Sequence, residues 1–481
     1  MFRQSTLSAA LWVALLGNAQ ATPSFINGLA ISGSTGDTFG TAVNNGRLGM
    51  FSDLYYDRSR NEWWGLSDRG PGGGTIGYET RVQRFTLDVN LNTGAISNFQ
   101  VAQTVKFSSG AAFNGLAPNP ANVLGNAMDP EGFVVNPLNG KFLVSDEYGP
   151  SVLEFNRDGT LSKRFATPAN LVPTVGSATD YNATSSTLTR GRENNRGLEG
   201  LAISPDGLTA YAMLQNGAIQ DGTFSGTTFN RSLYTRIVQY DTTTGNVLGQ
   251  FAYKLEGTSQ GRGISAIVAL DDHRFMVLER NNRGVGVPNA NLDSPNKKVF
   301  IVDLAGATDI SAIDLATTGA LPSGVVAVQK QTAALLDLAA NTVPELGGKV
   351  AEKWEGLAVG PQLADGSFLL LAGTDNDYSV TQNGSNTQFD VYYNPTSGAR
   401  LQCDLGGTSN CFNILANGTV ETVNLGNLPT GYALIPGVLH AYKASTGDLG
   451  GYTAPVPEPS TYALWAAGLL AVGAVARRKR G

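Results

Sequence analysis

Residues 128–150 read M-D-P-E-G-F-V-V-N-P-L-N-G-K-F-L-V-S-D-E-Y-G-P and predict a β-hairpin. Two apolar runs, Phe133–Val135 and Lys141–Ser145, flank the turn-forming string Asn-Pro-Leu-Asn-Gly. A hairpin brings the beginning of its first strand beside the end of its second strand. The acidic residues of the two outer ends are therefore predicted to lie together. They are Asp129 and Glu131 before the hairpin, and Asp146 and Glu147 after it.

The same strand–turn–strand pattern recurs along the chain, at 50–70, 196–216, 263–283 and 353–378. Further strands lie between these hairpins, so each unit holds about four strands, which is the content of one propeller blade. We predict an all-β fold, a β-propeller of six four-stranded blades, in which residues 401–452 and a strand near 25–31 make the sixth. A pair of β-sandwiches is the alternative, but its strands would not recur in units of four.

Both ends of the chain carry sorting features. Arg3, an apolar run over 7–16 and Ala19-Gln20-Ala21 predict a signal peptide at 1–21. Residues 454–481 contain P-V-P-E-P-S-T, an apolar stretch over 462–476 and the basic string Arg477-Arg478-Lys479-Arg480. The apolar stretch predicts a C-terminal hydrophobic helix that crosses the membrane, although it is shorter than the roughly 20 residues of a typical span. Its basic end fits a cytoplasmic stop, and a terminal helix packed on the domain is the alternative.

Charge and cysteine content narrow the class of protein. Without the signal peptide and the basic tail, 28 basic residues face 39 acidic ones, which argues against a nucleic-acid partner. The two cysteines, Cys403 and Cys411, are predicted to form a disulfide because the chain is exported. The chain has only two histidines, too few for a His-rich metal site, and this argues against a His-based catalytic triad as well. His273 is interpreted as a solvated turn residue.

The C-terminal segment resembles the PEP-CTERM sorting signal of Gram-negative bacteria. The residues that carry this resemblance are Val456, Pro457, Glu458 and Pro459, together with the basic tetrad. The resemblance implies an exosortase-type partner that recognises and processes the tail. It also implies an exported protein, in the cell envelope or outside the cell, that is held transiently in the inner membrane by its C-terminal helix.

The predicted propeller domain, residues 22–453, resembles the esterase-like phytase (phytase-like domain) family over about residues 25–445. The motifs are L-E-G-L-A-I-S-P-D-G, D-P-E-G-F, S-D-R-G, L-E-R-N-N-R and W-E-G-L-A, which are moderately specific as a set and weak singly. The resemblance implies a β-propeller and a phosphoester or ester hydrolase activity.

The repeated hairpins predict where chemistry could take place. If the first strand of every hairpin lines a central channel, Glu131, Glu199 and Glu355 occupy equivalent positions. A ring of carboxylates suits Ca²⁺ better than zinc, so we predict a calcium site. The predicted metal ligands are Asp129, Glu131, Asp146, Glu147, Asp375 and Asp377. The predicted catalytic residues are Glu131, Glu199, Glu355, Arg69 and Arg280, with the arginines binding substrate oxygens.

A structural interpretation of the Glu-Gly pairs is the alternative. In it the glutamate accepts backbone N–H groups from a neighbouring blade, and the glycine permits a bulge. At the level of the whole protein, a metal-assisted phosphoester or ester hydrolase competes with a non-catalytic propeller of the envelope or matrix that binds a polysaccharide or protein. A lactonase-like metal propeller is a third possibility. Ser265 lacks a glycine elbow and a histidine partner, which argues against a serine nucleophile.

Overall fold

The computed structural model describes residues 22–454, except 41–45, 288–290, 318, 384–386 and 415–419. The described part is all-β, as predicted, and its main architecture is five antiparallel sheets of four or five strands each. The first strands of these sheets contact one another in cyclic order, the fifth next to the first. Such a ring of sheets is a β-propeller, and we number its blades 1 to 5 along the chain.

Each blade pairs its strands in sequence from the channel outward, apart from the last. Blade 1 holds Asp53–Asp57, Glu62–Leu66, Arg81–Val89 and Ile96–Lys106. Blade 2 holds Pro130–Val135, Phe142–Asp146, Ser151–Phe155 and Leu161–Arg164. Blade 3 holds Leu198–Ile203, Thr209–Leu214, Tyr234–Asp241 and Val247–Lys254. Blade 4 holds Gly263–Ala269, Arg274–Arg280 and Lys297–Asp303, with an outer edge made by the short strands Gln329–Lys330 and Leu336–Asp337.

Blade 5 combines the two ends of the domain. Its strands are Lys353–Gln362, Phe368–Asp375, Gly437–Ala444 and, outermost, the N-terminal strand Ser24–Ile31. The predicted sixth blade is therefore wrong. Residues 437–444 and the strand near 25–31 complete blade 5, because Ser24 pairs with Lys443 and Ile31 with Gly437.

A separate six-stranded sheet is inserted between the second and third strands of blade 5. It consists of Val380–Asn383, Thr387–Tyr393, Arg400–Asp404, Cys411–Ile414, Val420–Val423 and Ala433–Leu434. The predicted disulfide joins two of its strands through Cys403 and Cys411. The buried ion pair of Arg47 with Asp390, and the hydrogen bond of 2.6 Å from Arg400 Nη1 to the carbonyl of Gly286, hold the insertion against the propeller.

Small elements complete the described part. They are the strand pairs Ser108–Ser109 with Ala111–Ala112, Thr174–Val175 with Ala178–Thr179 and Thr223–Ser225 with Thr228–Asn230, and the 3₁₀ turns Ile219–Asp221, Leu338–Ala340, Pro344–Leu346 and Asp377–Ser379. Within residues 22–454 no helix has the length and apolar character to cross a membrane. The predicted signal peptide and the predicted C-terminal helix lie outside the described residues.

The ring has two distinct ends. The first strands begin at the end that we call the acidic end, and they finish in short turns at the opposite end, the turn end. The hydrophobic core lies between neighbouring blades rather than along the axis, because the side chains of the first strands pack sideways into the adjoining sheets. Both Ser24 and Tyr452 lie at the turn end, where the ring of Tyr452 packs on Phe368 and its hydroxyl meets Arg58.

Candidate metal centre at the acidic end

β-Bulges aim one polar side chain from each of blades 2 to 5 at the acidic end. In blade 3, Leu198 pairs with Leu214 and Gly200 with Met213, which leaves Glu199 as the extra residue. Ser265 and Glu355 are the extra residues of blades 4 and 5, and the register of blade 2 shifts across Glu131 and Gly132. Bulges change the direction of a side chain in this way. The predicted equivalence of Glu131, Glu199 and Glu355 is therefore confirmed by the strand register.

The glycines after these glutamates are needed for packing between blades. A Cβ added to Gly132 would stand 2.6 Å from the backbone nitrogen of Leu201 in the next blade, and one added to Gly200 would stand 2.8 Å from that of Ile267. A Cβ on Gly356 would meet the Leu54 side chain at 2.6 Å. Each of these glycines therefore lies where a larger residue would clash with the neighbouring blade.

Asp53 of blade 1 is different from the glutamates. Its carboxylate accepts backbone N–H groups from Leu54 and from Phe133 of blade 2, each at 2.8 Å. Burial raises its pKa, while these backbone donors lower it. The role that the structural interpretation gave to the glutamates, accepting N–H groups from a neighbouring blade, therefore belongs to Asp53.

Three carboxylates from blades 1 and 2 form what we call the Asp129 cluster, consisting of Asp68, Asp129 and Glu131. One oxygen of each lies within 4.8 Å of the others, and all three residues are buried. Arg69 binds Asp129 Oδ2, yet no donor among the described residues reaches the buried Asp129 Oδ1. Glu131 forms no hydrogen bond or ion pair within the described part of the chain. The cluster therefore offers free oxygen ligands in a buried place.

The electrostatics of the Asp129 cluster favour either protons or a cation. Burial raises the pKa of Asp129; Arg69 lowers it, but Asp68 and Glu147 raise it further. Burial also raises the pKa of Glu131, and Asp68 and Glu199 add to the rise. Since no cationic side chain among the described residues forms an ion pair with Glu131, a bound metal ion would relieve this repulsion.

A second group of carboxylates surrounds Lys353, and we call it the Lys353 cluster. Lys353 Nζ binds Asp375, lies 2.9 Å from Asp377 Oδ1 and approaches Asp68 at 4.0 Å. Burial lowers the pKa of Lys353, but Asp375, Asp377 and other carboxylates outweigh burial and raise it. The predicted metal ligands Asp375 and Asp377 are therefore occupied by an ammonium group.

Arg280 links the remaining members of the ring. Its guanidinium binds Glu355, donates a hydrogen bond of 2.9 Å to Ser265 Oγ and lies 4.0 Å from Glu199. Glu199 accepts a hydrogen bond of 2.7 Å from the side-chain amide of Gln215. Burial raises the pKa of Glu199, and so do Glu147 and Glu355. The structure thus brings all five predicted catalytic residues to the acidic end.

The other two predicted metal ligands, Asp146 and Glu147, lie outside the two carboxylate clusters. Asp146 accepts backbone N–H groups from Asp129, Tyr148 and Gly149 at 2.9–3.0 Å, so both of its oxygens stabilise the loop after the hairpin. Burial raises its pKa to about 6 despite these donors. Glu147 lies 3.8 Å from Arg69 and accepts a long hydrogen bond from the Gly197 amide. Within the described part of the chain, neither belongs to a group of three converging carboxylates. His273 is half exposed beside Asp303, as its interpretation as a turn residue requires.

A well-formed cavity lies at the turn end and not at this site. It has a volume of about 830 Å³ and is lined by the five first strands and their turns, with Tyr452 at its rim. Of the predicted channel residues it contains Asp53, whose oxygens are already engaged by backbone amides. The chemistry-bearing side chains are at the other end of the channel, so we place the candidate site there.

Comparison with known proteins supplies the family. The model of a protein family described as "Phytase-like: Esterase-like activity of phytase" matches residues 46–378. The chain belongs to this phytase-like family. Residues 455–480 match the PEP-CTERM protein-sorting motif, which implies recognition by exosortase-type sorting machinery. Both resemblances inferred from the sequence are confirmed.

The chain is similar to one curated protein that is described as secreted and, more distantly, to several solved structures. An "Uncharacterized secreted protein" of Arthroderma benhamiae is 24% identical over an alignment of 424 residues, and the match covers 69% of this chain and 81% of that protein. Among solved structures, Kuenenia stuttgartiensis hydrazine synthase is 13% identical and covers 79% of this chain and 96% of its own, with a TM-score of 0.29. A streptogramin B lyase is 10% identical and covers 87% and 97%, with a TM-score of 0.28.

Proposed function

We propose that this phytase-like protein is a metal-assisted hydrolase of phosphoesters or carboxylic esters, with one calcium ion at the Asp129 cluster. The observation that supports this most is the buried, donor-free oxygen Asp129 Oδ1 beside two further carboxylates, Asp68 and Glu131. Oxygen-only ligand sets suit Ca²⁺. When bound, such an ion polarises a phosphoryl or carbonyl oxygen and lowers the pKa of a water molecule.

The surrounding residues would perform the other tasks of hydrolysis. Arg69 and Arg280 are anchored by carboxylates and would bind the anionic oxygens of a substrate through forked hydrogen bonds. Glu199 has a raised pKa and stands next to Glu131 in the ring, which suits proton exchange with water. Glu355 would act on Arg280 as a positioning residue because it binds the guanidinium directly.

Calcium binding is the first property to test. We expect Ca²⁺ to raise the melting temperature of the wild type, since a ligand at 100 times its Kd stabilises the folded state by about 2.7 kcal/mol. Asp129→Asn and Glu131→Gln should lose this response, whereas Glu345→Gln, at an exposed position, should keep it. Differential scanning calorimetry with and without EDTA measures the shift. An equal shift in wild type and Asp129→Asn would place calcium elsewhere.

Turnover separates the enzyme from a binding propeller. We expect hydrolysis of a chromogenic phosphoester or ester to fall at least 100-fold in EDTA and in Glu131→Gln, and to stay unchanged in Glu345→Gln. Calcium binding without turnover of any ester or phosphoester would contradict the enzyme proposal and favour a propeller that binds a polysaccharide or protein.

The proposal includes transient anchoring in the inner membrane through the C-terminal segment. Deleting Val456–Gly481 should release the protein from the membrane fraction into the soluble exported fraction, because the whole sorting motif is removed. Cell fractionation and immunoblotting measure the distribution, with Pro457 and Pro459 both replaced by alanine as a variant of full length. Unchanged distribution of both variants would refute anchoring by this segment.

A further inference from the structure

We propose that the acidic end has two neighbouring cation positions and that the ammonium group of Lys353 occupies the second of them. The Asp129 cluster then binds one metal ion, and Lys353 takes the place of another metal ion among four carboxylates. Its ammonium group has carboxylate oxygens of four residues within 4.0 Å. They belong to Asp68, Glu355, Asp375 and Asp377. This inference rests on the calcium proposal only for the identity of the first ion.

The repeat of the blades indicates why a lysine stands there. Residues 129–132 are Asp-Pro-Glu-Gly and residues 353–356 are Lys-Trp-Glu-Gly, so Lys353 and Asp129 occupy the same position in blades 5 and 2. Asp68 of blade 1 lies between them and belongs to both carboxylate groups. One carboxylate shared by two neighbouring cation positions is the arrangement of a two-metal site.

The neighbouring carboxylates contain an unused ligand as well. Glu355 Oε1 binds Arg280 and lies 3.7 Å from Lys353 Nζ, while Glu355 Oε2 is buried and has no hydrogen-bond donor among the described residues. The Glu355 side chain is 3% exposed. If the ammonium group were removed, Asp68, Glu355, Asp375 and Asp377 would be left without their shared counter-ion, and Glu355 Oε2 would be a further oxygen ligand. Oxygen ligands of this number and charge bind Ca²⁺.

Lys353→Met tests the proposal, because methionine has a similar length and no charge. Wild type and variant, both purified as the mature chain, would be titrated with CaCl₂ by isothermal titration calorimetry at neutral pH, and bound calcium would be counted by metal analysis. We expect Lys353→Met to bind one more calcium ion than the wild type. Lys353→Arg, which keeps the charge, should bind the same number as the wild type.

The outcomes distinguish this inference from the proposed function. A folded Lys353→Met protein that binds no additional ion overturns the inference. No ion in the wild type and one in the variant would contradict the calcium proposal and support the role of Lys353. If Lys353→Met does not fold even in calcium, the number of calcium ions bound by the double variant Asp375→Asn/Asp377→Asn tests the inference instead. These two residues bind Lys353 and are not ligands of the metal ion proposed for the wild type. Loss of that ion in the double variant overturns the inference, and an unchanged count supports it.

Discussion

Metal-free protein should lose stability as the pH rises from about 4 to about 7. Burial raises the pKa of Asp129, Glu131, Glu199 and Asp375 above the usual values of 3.8 for Asp and 4.5 for Glu. Burial also raises the pKa of Asp146 to about 6 and that of Glu352 to about 7. A carboxyl with a raised pKa in the folded state binds its proton more tightly there than in the unfolded chain. Its contribution to stability is complete below the unfolded pKa and is lost as the pH rises through the folded pKa.

The size of this effect follows from the pKa shifts. One pKa unit corresponds to about 1.4 kcal/mol, so the rise of Asp146 from 3.8 to about 6 costs roughly 3 kcal/mol at neutral pH. Paired carboxylates in most proteins give the opposite slope, with stability lost towards acid. Urea unfolding of EDTA-treated protein at a series of pH values measures the slope. Addition of Ca²⁺ at pH 7 should recover stability, because the ion replaces the protons.

Two comparisons test the cause of this slope. Glu131→Gln should reduce the loss of stability between pH 4 and pH 7, since it removes one ionising group from the crowded ring. Glu345→Gln lies on the exposed surface and should leave the slope as in the wild type. A metal-free wild type whose stability increases over this range would show that the ring carboxylates are not repelling one another.

Gly200→Ala should destabilise the propeller by about 1–3 kcal/mol, the usual cost of overpacking, and towards the upper part of that range. The added Cβ would stand 2.8 Å from the backbone nitrogen of Ile267 and 3.0 Å from the carbonyl carbon of Ala266. Both contacts are with the backbone of the next first strand, which cannot turn aside as a flexible side chain could. The two strands must therefore separate near the axis.

Gly426→Ala is the matched control, because an added Cβ there meets no atom within 4 Å. Its effect should remain within about 0.5 kcal/mol, as for other surface changes. Chemical unfolding of both variants in the same buffer gives the comparison. If Gly200→Ala and Gly426→Ala were equally stable, the first strands of blades 3 and 4 would be less closely packed than the distances from Gly200 indicate.

The hairpin repeat was predictable because its signals are local. The alternation of apolar residues and turn residues indicated five of the first-strand pairs, and the Glu-Gly strings marked equivalent positions in three of them. The number of blades was not predictable in this way. The sequence placed the strand near 25–31 and residues 401–452 in one blade, but no local pattern shows that Gly437–Ala444 pairs with Phe368–Asp375, and this pairing reduces the count to five.

The roles of individual site residues were also not predictable from the sequence, because they depend on contacts that only the fold creates. Asp146 and Asp129 are the same residue type at the two ends of one hairpin, yet three backbone amides engage Asp146 while Asp129 keeps a free oxygen. Such hydrogen bonds depend on the turn that follows and not on residue type. Lys353 does not stand out in the sequence, because a lysine is not a ligand for a cation and only the fold brings it among carboxylates. Its position before Glu355, equivalent to that of Asp129 before Glu131, is the signal that could have revealed it.

The positions of Ser24 and Tyr452 have a practical consequence. Both residues lie at the turn end of the propeller. A solid support that holds the protein close to either residue therefore faces the turns. The acidic end then points outward. Immobilised protein, coupled through its C-terminal segment to beads, presents its carboxylate ring to the surrounding solution.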